Sequence, residues 1–136
     1  MLSEGGQRSA LRTLARRALV PVELHIATDA RFAEPVEVAA YYVVSESLTN
    51  AVKHAQASYV AVSIVERDGV LQLSVRDDGV GGADPQGGSG LIGLQDRVEA
   101  LGGTIEVESP KGAGTRVAVS LPVLDGRGPF TASRER

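Results

Sequence analysis

Apolar residues along the chain switch between two rhythms. Leu11, Leu14, Ala15 and Ala18 recur at helical intervals behind Ser3, a residue type that caps helix starts, and Pro21 closes that stretch. Val22, Leu24 and Ile26 then alternate with Glu23 and His25, the period of a strand with one apolar face. Pro35 suits a first helical turn, and residues 35–56 read as one long helix. Two extended runs follow, Val60, Val62 and Ile64, then Leu71, Leu73 and Val75, joined by Asp68-Gly69, a dipeptide that favours a tight hairpin turn. Residues 77–90 form a glycine-rich loop. Leu91, Leu94, Val98 and Leu101 return to helical spacing and stop at Gly102-Gly103. A second hairpin pairs Ile105 and Val107 with Val117, Val119 and Leu121 around a Pro-Lys-Gly-Ala-Gly turn.

This pattern predicts three helices and five strands, each strand apolar on one side and mostly polar on the other. A mixed, mostly antiparallel sheet of about five strands with the helices on one face meets both demands, a two-layer α/β sandwich. The folded domain is expected to span residues 1–124, with the polar stretch 125–136 as a disordered tail.

Composition narrows the chemistry. The chain has 136 residues, enough for one core without staples, and no cysteine, which excludes disulfides and thiolate metal sites. No run approaches the roughly 18 apolar residues of a membrane span, and no basic-then-apolar leader opens the chain. A cytoplasmic domain without membrane contact is expected. The net charge of −3, scattered arginines and only three Tyr and two Phe argue against a nucleic-acid partner. The sixteen glycines matter more, because they crowd into 79–82, 87–93, 102–103 and 112–114. Such clusters let a backbone approach something closely.

On the long helix, stepping 100° per residue from Glu46 puts Asn50 at about 40°, Lys53 at about −20° and His54 at about 80°. A carboxylate, an amide, an ammonium and an imidazole thus share one side. The arc holding Ala40, Tyr41, Val44, Leu48, Ala51, Val52 and Ala55 is expected to pack on the sheet. Taken alone, the polar side fits a solvated helix face. It can also serve as a site for metal-bound polyphosphate, since carboxylate and carboxamide oxygens suit Mg²⁺ and an ammonium suits phosphate, although the helix alone favours the solvated face. The segment after Asp77 and Asp78 bears on that choice. Gly79-Val80-Gly81-Gly82 leaves a strand, and Gly87-Gly88-Ser89-Gly90 opens the helix at Leu91. Glycines at a helix start present N–H groups and a favourable partial charge to an anion. The loop lacks the Gly-Lys-Ser/Thr ending of a P-loop and lies in no convincing βαβ unit, as a dinucleotide fingerprint would.

ESLTNAVKH (46–54) resembles the asparagine box of the GHKL ATPases, the superfamily of histidine kinases, gyrase-type ATPases and related chaperones. DDGVGG (77–82), GSGLIGL (88–94) and GAGT (112–115) resemble its three glycine boxes, in the same order. The run LIGLQDRVEALGGTIEVESPKGAGTRVAVSLP and the opening LSEGGQRSALRTLARRALVPVEL are similar to the narrower class of sensor histidine kinases that pair with NarL/LuxR-type, helix-turn-helix response regulators. The resemblance implies a Bergerat fold that binds ATP and Mg²⁺. Asn50 would ligate the metal, and Glu46 would orient the group attacking the γ-phosphate. Lys53 and His54 would lie near the phosphates. Asp77 would accept from the adenine amino group, with Gly79 and Gly81 letting the chain pass the base and Thr115 supporting Asp77. Gly88, Gly90, Leu91 and Gly93 would form the hinge and phosphate cradle of the lid. Asp78 is expected to do ordinary turn chemistry.

The chain departs from the broader pattern in its short lid and the absence of a phenylalanine-bearing box. Neither histidine sits in an acceptor setting: His25 is expected on the polar strand face, and His54 belongs to the nucleotide helix. The expected partners are therefore a histidine-bearing dimerisation domain of the same kinase and, through the full-length protein, a response regulator. The domain alone is expected to be monomeric and not to phosphorylate itself. An anti-sigma-factor serine kinase or a non-catalytic nucleotide-binding module would share most of these features.

Overall fold

The computed structural model describes residues 6–27, 32–53, 56–82 and 91–123. Ser3, His54, Ala55, the loop 83–90 and the tail from 124 onward lie outside the described residues, so expectations resting on them have no structural counterpart here. The elements run α1 (Gly6–Arg17), β1 (Val22–Ile26), α2 (Glu34–Lys53), β2 (Val60–Arg67), β3 (Val70–Asp77), α3 (Leu91–Ala100), β4 (Thr104–Glu108) and β5 (Thr115–Pro122).

The sheet order is β1-β2-β3-β5-β4, with β1 parallel to β2 and every other pair antiparallel. The mixed five-stranded sheet with three helices is thus the architecture expected. One feature differs: β1, α2 and β2 form a parallel βαβ unit. The glycine loop follows β3, outside that unit, so no dinucleotide-type turn arises. The last strand made, β5, inserts between β3 and β4 and pairs with β3 over its whole length, Val70↔Pro122 to Asp77↔Thr115.

Alternation sorts the strands into rows. Leu24, Val62, Val75, Val117 and Val107 share one row, and Ile26, Ile64, Leu73, Val119 and Ile105 another; all join the core. The intervening rows, such as Glu23, Ala61, Arg76, Arg116 and Glu108, face away from it. His25 lies exposed on that open face. Helix α1 packs on β1 and α2, while α3 packs on β4 and α2. Burying the strand valines, leucines and isoleucines contributes roughly 1.5–3 kcal/mol for each large side chain.

The turns follow local chemistry. Asp68 and Gly69 both adopt the left-handed region, φ 54° and 76°, as a two-residue hairpin of right-handed twist demands. Helix α3 ends as its glycine pair predicts. Gly103 donates to the Val98 carbonyl at 3.0 Å and Gly102 to the Glu99 carbonyl at 3.0 Å, the paired bonds of a Schellman cap. Helix α2 is described as far as Lys53, and Gln56, the last residue of the expected helix, is left-handed (φ 55°) and lies outside it.

The buried face of α2 is also wider than its sequence suggests. Ala40, Val44, Leu48 and Ala51 are buried as expected, but Tyr41 and Val52 are only half-buried, while Val43, Ser47 and Asn50 are buried as well. The reason is that α2 touches the sheet, α1 and α3 together, so its covered arc exceeds the one stripe of a helix lying on a single layer.

Candidate functional site

Asp77 closes β3 and is 8% exposed. Its Oδ1 accepts the Gly79 N–H at 2.8 Å and the Thr115 N–H at 3.2 Å. Oδ2 takes no hydrogen bond among the described residues. Thr115 lies directly opposite Asp77 in the β3–β5 register, so the sheet itself supplies this neighbour. The support expected from Thr115 therefore comes through its backbone amide. Its hydroxyl is bonded at 2.6 Å to Ser109, a residue that sequence reasoning did not single out. A hydroxyl partner six residues away across a turn leaves no local signal.

The glycines around Asp77 are required by the protein's own backbone. Gly114 (φ +77°) runs against the Asp77 carbonyl, and an added Cβ would overlap that oxygen. Gly81 (φ +70°) passes the β4–β5 turn so closely that a Cβ would lie 2.9 Å from the Pro110 carbonyl carbon and 3.0 Å from the Gly114 oxygen. Two further bonds tie the crossing together, Gly82 N–H to Ser109 O at 2.7 Å and Gly112 N–H to Val80 O at 2.6 Å. The glycine motifs at 79–82 and 112–114, distant in sequence, thus make one crossed pair of loops over the end of β3.

Asp78 makes a long-range tie instead of the ordinary turn chemistry expected of it. Its Oδ1 accepts the Ser58 and Tyr59 amides at 2.8 and 3.1 Å, and its Oδ2 accepts the Ser58 hydroxyl at 2.5 Å. The Ser58 hydroxyl and amide hold its carboxyl below the ordinary carboxylate range. Nearby, the Tyr59 hydroxyl donates to Glu23, which pushes that phenol upward from its ordinary value. Both contacts fasten the entry of β2.

On α2 the arrangement is opposite in kind. Asn50 is 6% exposed, yet its Oδ1 is buried without a hydrogen-bond partner among the described residues, as is the Ser47 hydroxyl. Such orphaned atoms are uncommon and costly, on the order of 1–3 kcal/mol each. A hard, neutral oxygen fits Mg²⁺, and no group of three His, Cys, Asp or Glu side chains among the described residues could hold a metal alone. A cation bound by one protein oxygen and completed by phosphates and water is the Mg²⁺ pattern this donor set suits. Glu46, half-buried, lies one turn before Asn50. Lys53 is exposed and lines a groove of about 220 Å³ with Leu14 and Arg17 of α1 and Ala18 just beyond it. Gly93 sits in the first turn of α3 with nothing among the described residues within 4 Å of where a Cβ would stand. His54, Gly88 and Gly90 fall outside the described residues, and of Leu91 only the backbone, opening α3, is described.

Residues 36–125 match the family described as "Histidine kinase-, DNA gyrase B-, and HSP90-like ATPase". The chain belongs to this ATPase family. A domain of this family binds ATP, and the stretch matched contains Glu46, Asn50, Asp77 and all three glycine motifs. Relatives include the sensor histidine kinase YdfH of Bacillus subtilis, 37% identical over 77% of this chain and 26% of that protein. The oxygen sensor histidine kinase NreB of Staphylococcus carnosus is 36% identical over 87% of this chain and 35% of its own length. Among solved structures, the blue-light activated histidine kinase of Erythrobacter litoralis EL346 superposes with a TM-score of 0.66 at 27% identity, covering 86% of this chain and 39% of that one. The chain thus spans about a sixth to a third of the length of the curated relatives it matches. Among the described residues, no helix of this ATPase domain is long and apolar enough to cross a membrane.

Proposed function

We propose that the domain holds Mg·ATP between α2, α3 and the crossed glycine loops, and presents the γ-phosphoryl group to a histidine on another segment of a sensor kinase. The observation carrying this reading is Asp77. One of its oxygens is committed to two backbone amides and the other is left without a hydrogen bond among the described residues. A buried acceptor held rigidly in this way suits an exocyclic amine of a base, and it selects adenine over guanine, which offers a carbonyl there.

The orphaned Asn50 oxygen supports assigning it to Mg²⁺, which would neutralise phosphate charge. Glu46, one turn away, is assigned to orienting the attacking group. The open space at Gly93 among the described residues favours phosphate approach to the start of α3, while the assignment of the exposed Lys53 to phosphate rests on the motif resemblance. Gly79, Gly81 and Thr115 act through Asp77 and the loops around it. The assignments of His54, Gly88, Gly90 and Leu91 rest on the motif resemblance alone. Sensor histidine kinases among the relatives favour a histidine acceptor over a serine one. His25 lies on the open face of an edge strand, away from α2, so the acceptor belongs to a different segment and a response regulator follows as the full protein's partner.

Titration calorimetry with ATP, with and without Mg²⁺, tests the binding. Transfer is tested with γ-labelled ATP, the chain and the parent kinase's dimerisation segment. Acid-labile label is expected on that segment and none on the chain alone. Labelling of this chain that vanishes in His25→Ala would overturn the division of labour.

A further inference from the structure

Outside the residues assigned to nucleotide, α2 and α3 are joined by a contact that neither helix needs for its own formation. The Arg97 guanidinium carbon lies 4.5 Å from the centroid of the Tyr42 ring. The ring is 44% exposed and is braced edge-on by Tyr41, centroids 6.0 Å apart at 86°. Arg97 is exposed as well. The core does not dictate the pairing, since α3 is anchored through Leu94 and Val98, both buried.

The position of the contact gives it meaning. Tyr42, Glu46 and Asn50 recur every four residues, one stripe along α2, and Gly93 and Arg97 do the same on α3. The contact therefore ties the two stripes together one turn from Glu46 on one helix and one turn from Gly93 on the other. Leu94 and Val98 fix α3 against the core along one line of contact. A planar cation on an aromatic face adds a second point of attachment, away from that line.

We infer that Tyr42 and Arg97 are positioning residues that set the distance between the α2 stripe and the start of α3, and so the fit of the triphosphate. The inference rests on the reading of the site as a Mg·ATP site. A cation–π contact at an exposed position is worth ~0.5–1 kcal/mol, so its loss reads as about a 2- to 5-fold change in affinity.

The experiment compares Mg·ATP and adenosine binding in the wild-type chain, Tyr42→Leu, Tyr42→Phe, Arg97→Gln and the Tyr42→Leu/Arg97→Gln double variant. Thermal unfolding is followed alongside. Mg·ATP affinity is expected to fall about 2- to 5-fold in Tyr42→Leu and in Arg97→Gln, with the double variant no worse than either. Tyr42→Phe, which keeps the ring, should bind as the wild type does. Adenosine, which engages only the Asp77 end, should bind all variants equally. Equal losses for adenosine and Mg·ATP, or additive losses in the double variant, would overturn the positioning role. Unchanged Mg·ATP affinity in the single variants would also overturn it while leaving the site reading intact. A wild-type chain that binds no Mg·ATP would remove both.

Discussion

At the end of β3, one Asp77 oxygen, the Thr115 amide, the Thr115 hydroxyl and the amides of Gly79, Gly82 and Gly112 all have partners within the chain. On α2 the Asn50 oxygen is buried with none among the described residues, and Gly93 of α3 has no described neighbour within 4 Å of a would-be Cβ. Folding therefore completes the first region and leaves the second underdetermined. On the proposed reading, the first would discriminate a base because its acceptor is preorganised and costs little to engage. The second carries an unmet polar group in the folded state, a cost that a metal and its phosphates would relieve. A site that must bind one nucleotide tightly enough to recognise it, yet release the product, gains from dividing rigidity in this way.

Four substitutions sharpen or break this contrast. Gly114→Ala should be the most damaging, since its Cβ overlaps the Asp77 carbonyl at a left-handed position. A stability loss of about 2–4 kcal/mol in chemical denaturation is expected. Unaltered stability would mean that the Asp77 end is not built by the crossed loops. Asp77→Asn comes next: its amide oxygen can still accept the Gly79 and Thr115 amides, so the fold should persist. The outward atom becomes a donor, however, and ATP affinity should drop about 5- to 150-fold, equivalent to ~1–3 kcal/mol. Calorimetry giving wild-type affinity would remove Asp77 from the base site.

Asn50→Ala should reverse the balance. No internal hydrogen bond of Oδ1 is lost, so stability should move by less than about 1 kcal/mol, whereas Mg²⁺-dependent ATP affinity should fall about tenfold or more. Equal losses with and without Mg²⁺ would assign Asn50 to structure. The smallest expected effect belongs to Gly93→Ala. A helical glycine without a packing reason should gain ~0.5–1 kcal/mol in stability when replaced by alanine. If the phosphates approach there, the gain comes with weaker ATP binding; a stabilised variant that binds normally would free Gly93 from the site.

Most of the fold could be read from period and punctuation, because the signals involved are local. The 68–69 turn, the Gly102 cap and the valine alternation of β2, β3 and β5 each act within a few residues. Asn50 shows where such reading ends. A helical wheel places it beside Glu46 on a polar side, but three packing partners widen the buried arc of α2 until Asn50 is inside it. Asp78 fastens Ser58, twenty residues earlier, and Arg97 meets Tyr42, so nothing in either neighbourhood announces them. The parallel pairing of β1 with β2 escaped for a related reason, since alternation fixes which face a residue takes but not which strand lies beside it.

The place of β5 in the sheet has a consequence for biosynthesis. A nascent chain can pair β1, β2 and β3 as soon as residue 77 emerges, yet the inner edge of β3 then stays open until residues 115–122 follow. Throughout that interval Leu71, Leu73 and Val75 border an unpaired edge, the kind of surface that recruits wrong strands. Asp77 meanwhile lacks one of its two amide donors. If Asp77 reads the base as proposed, nucleotide capture is one of the last properties the growing polypeptide acquires, and a molecule truncated before Thr115 would lack both a complete base site and a covered β3 edge.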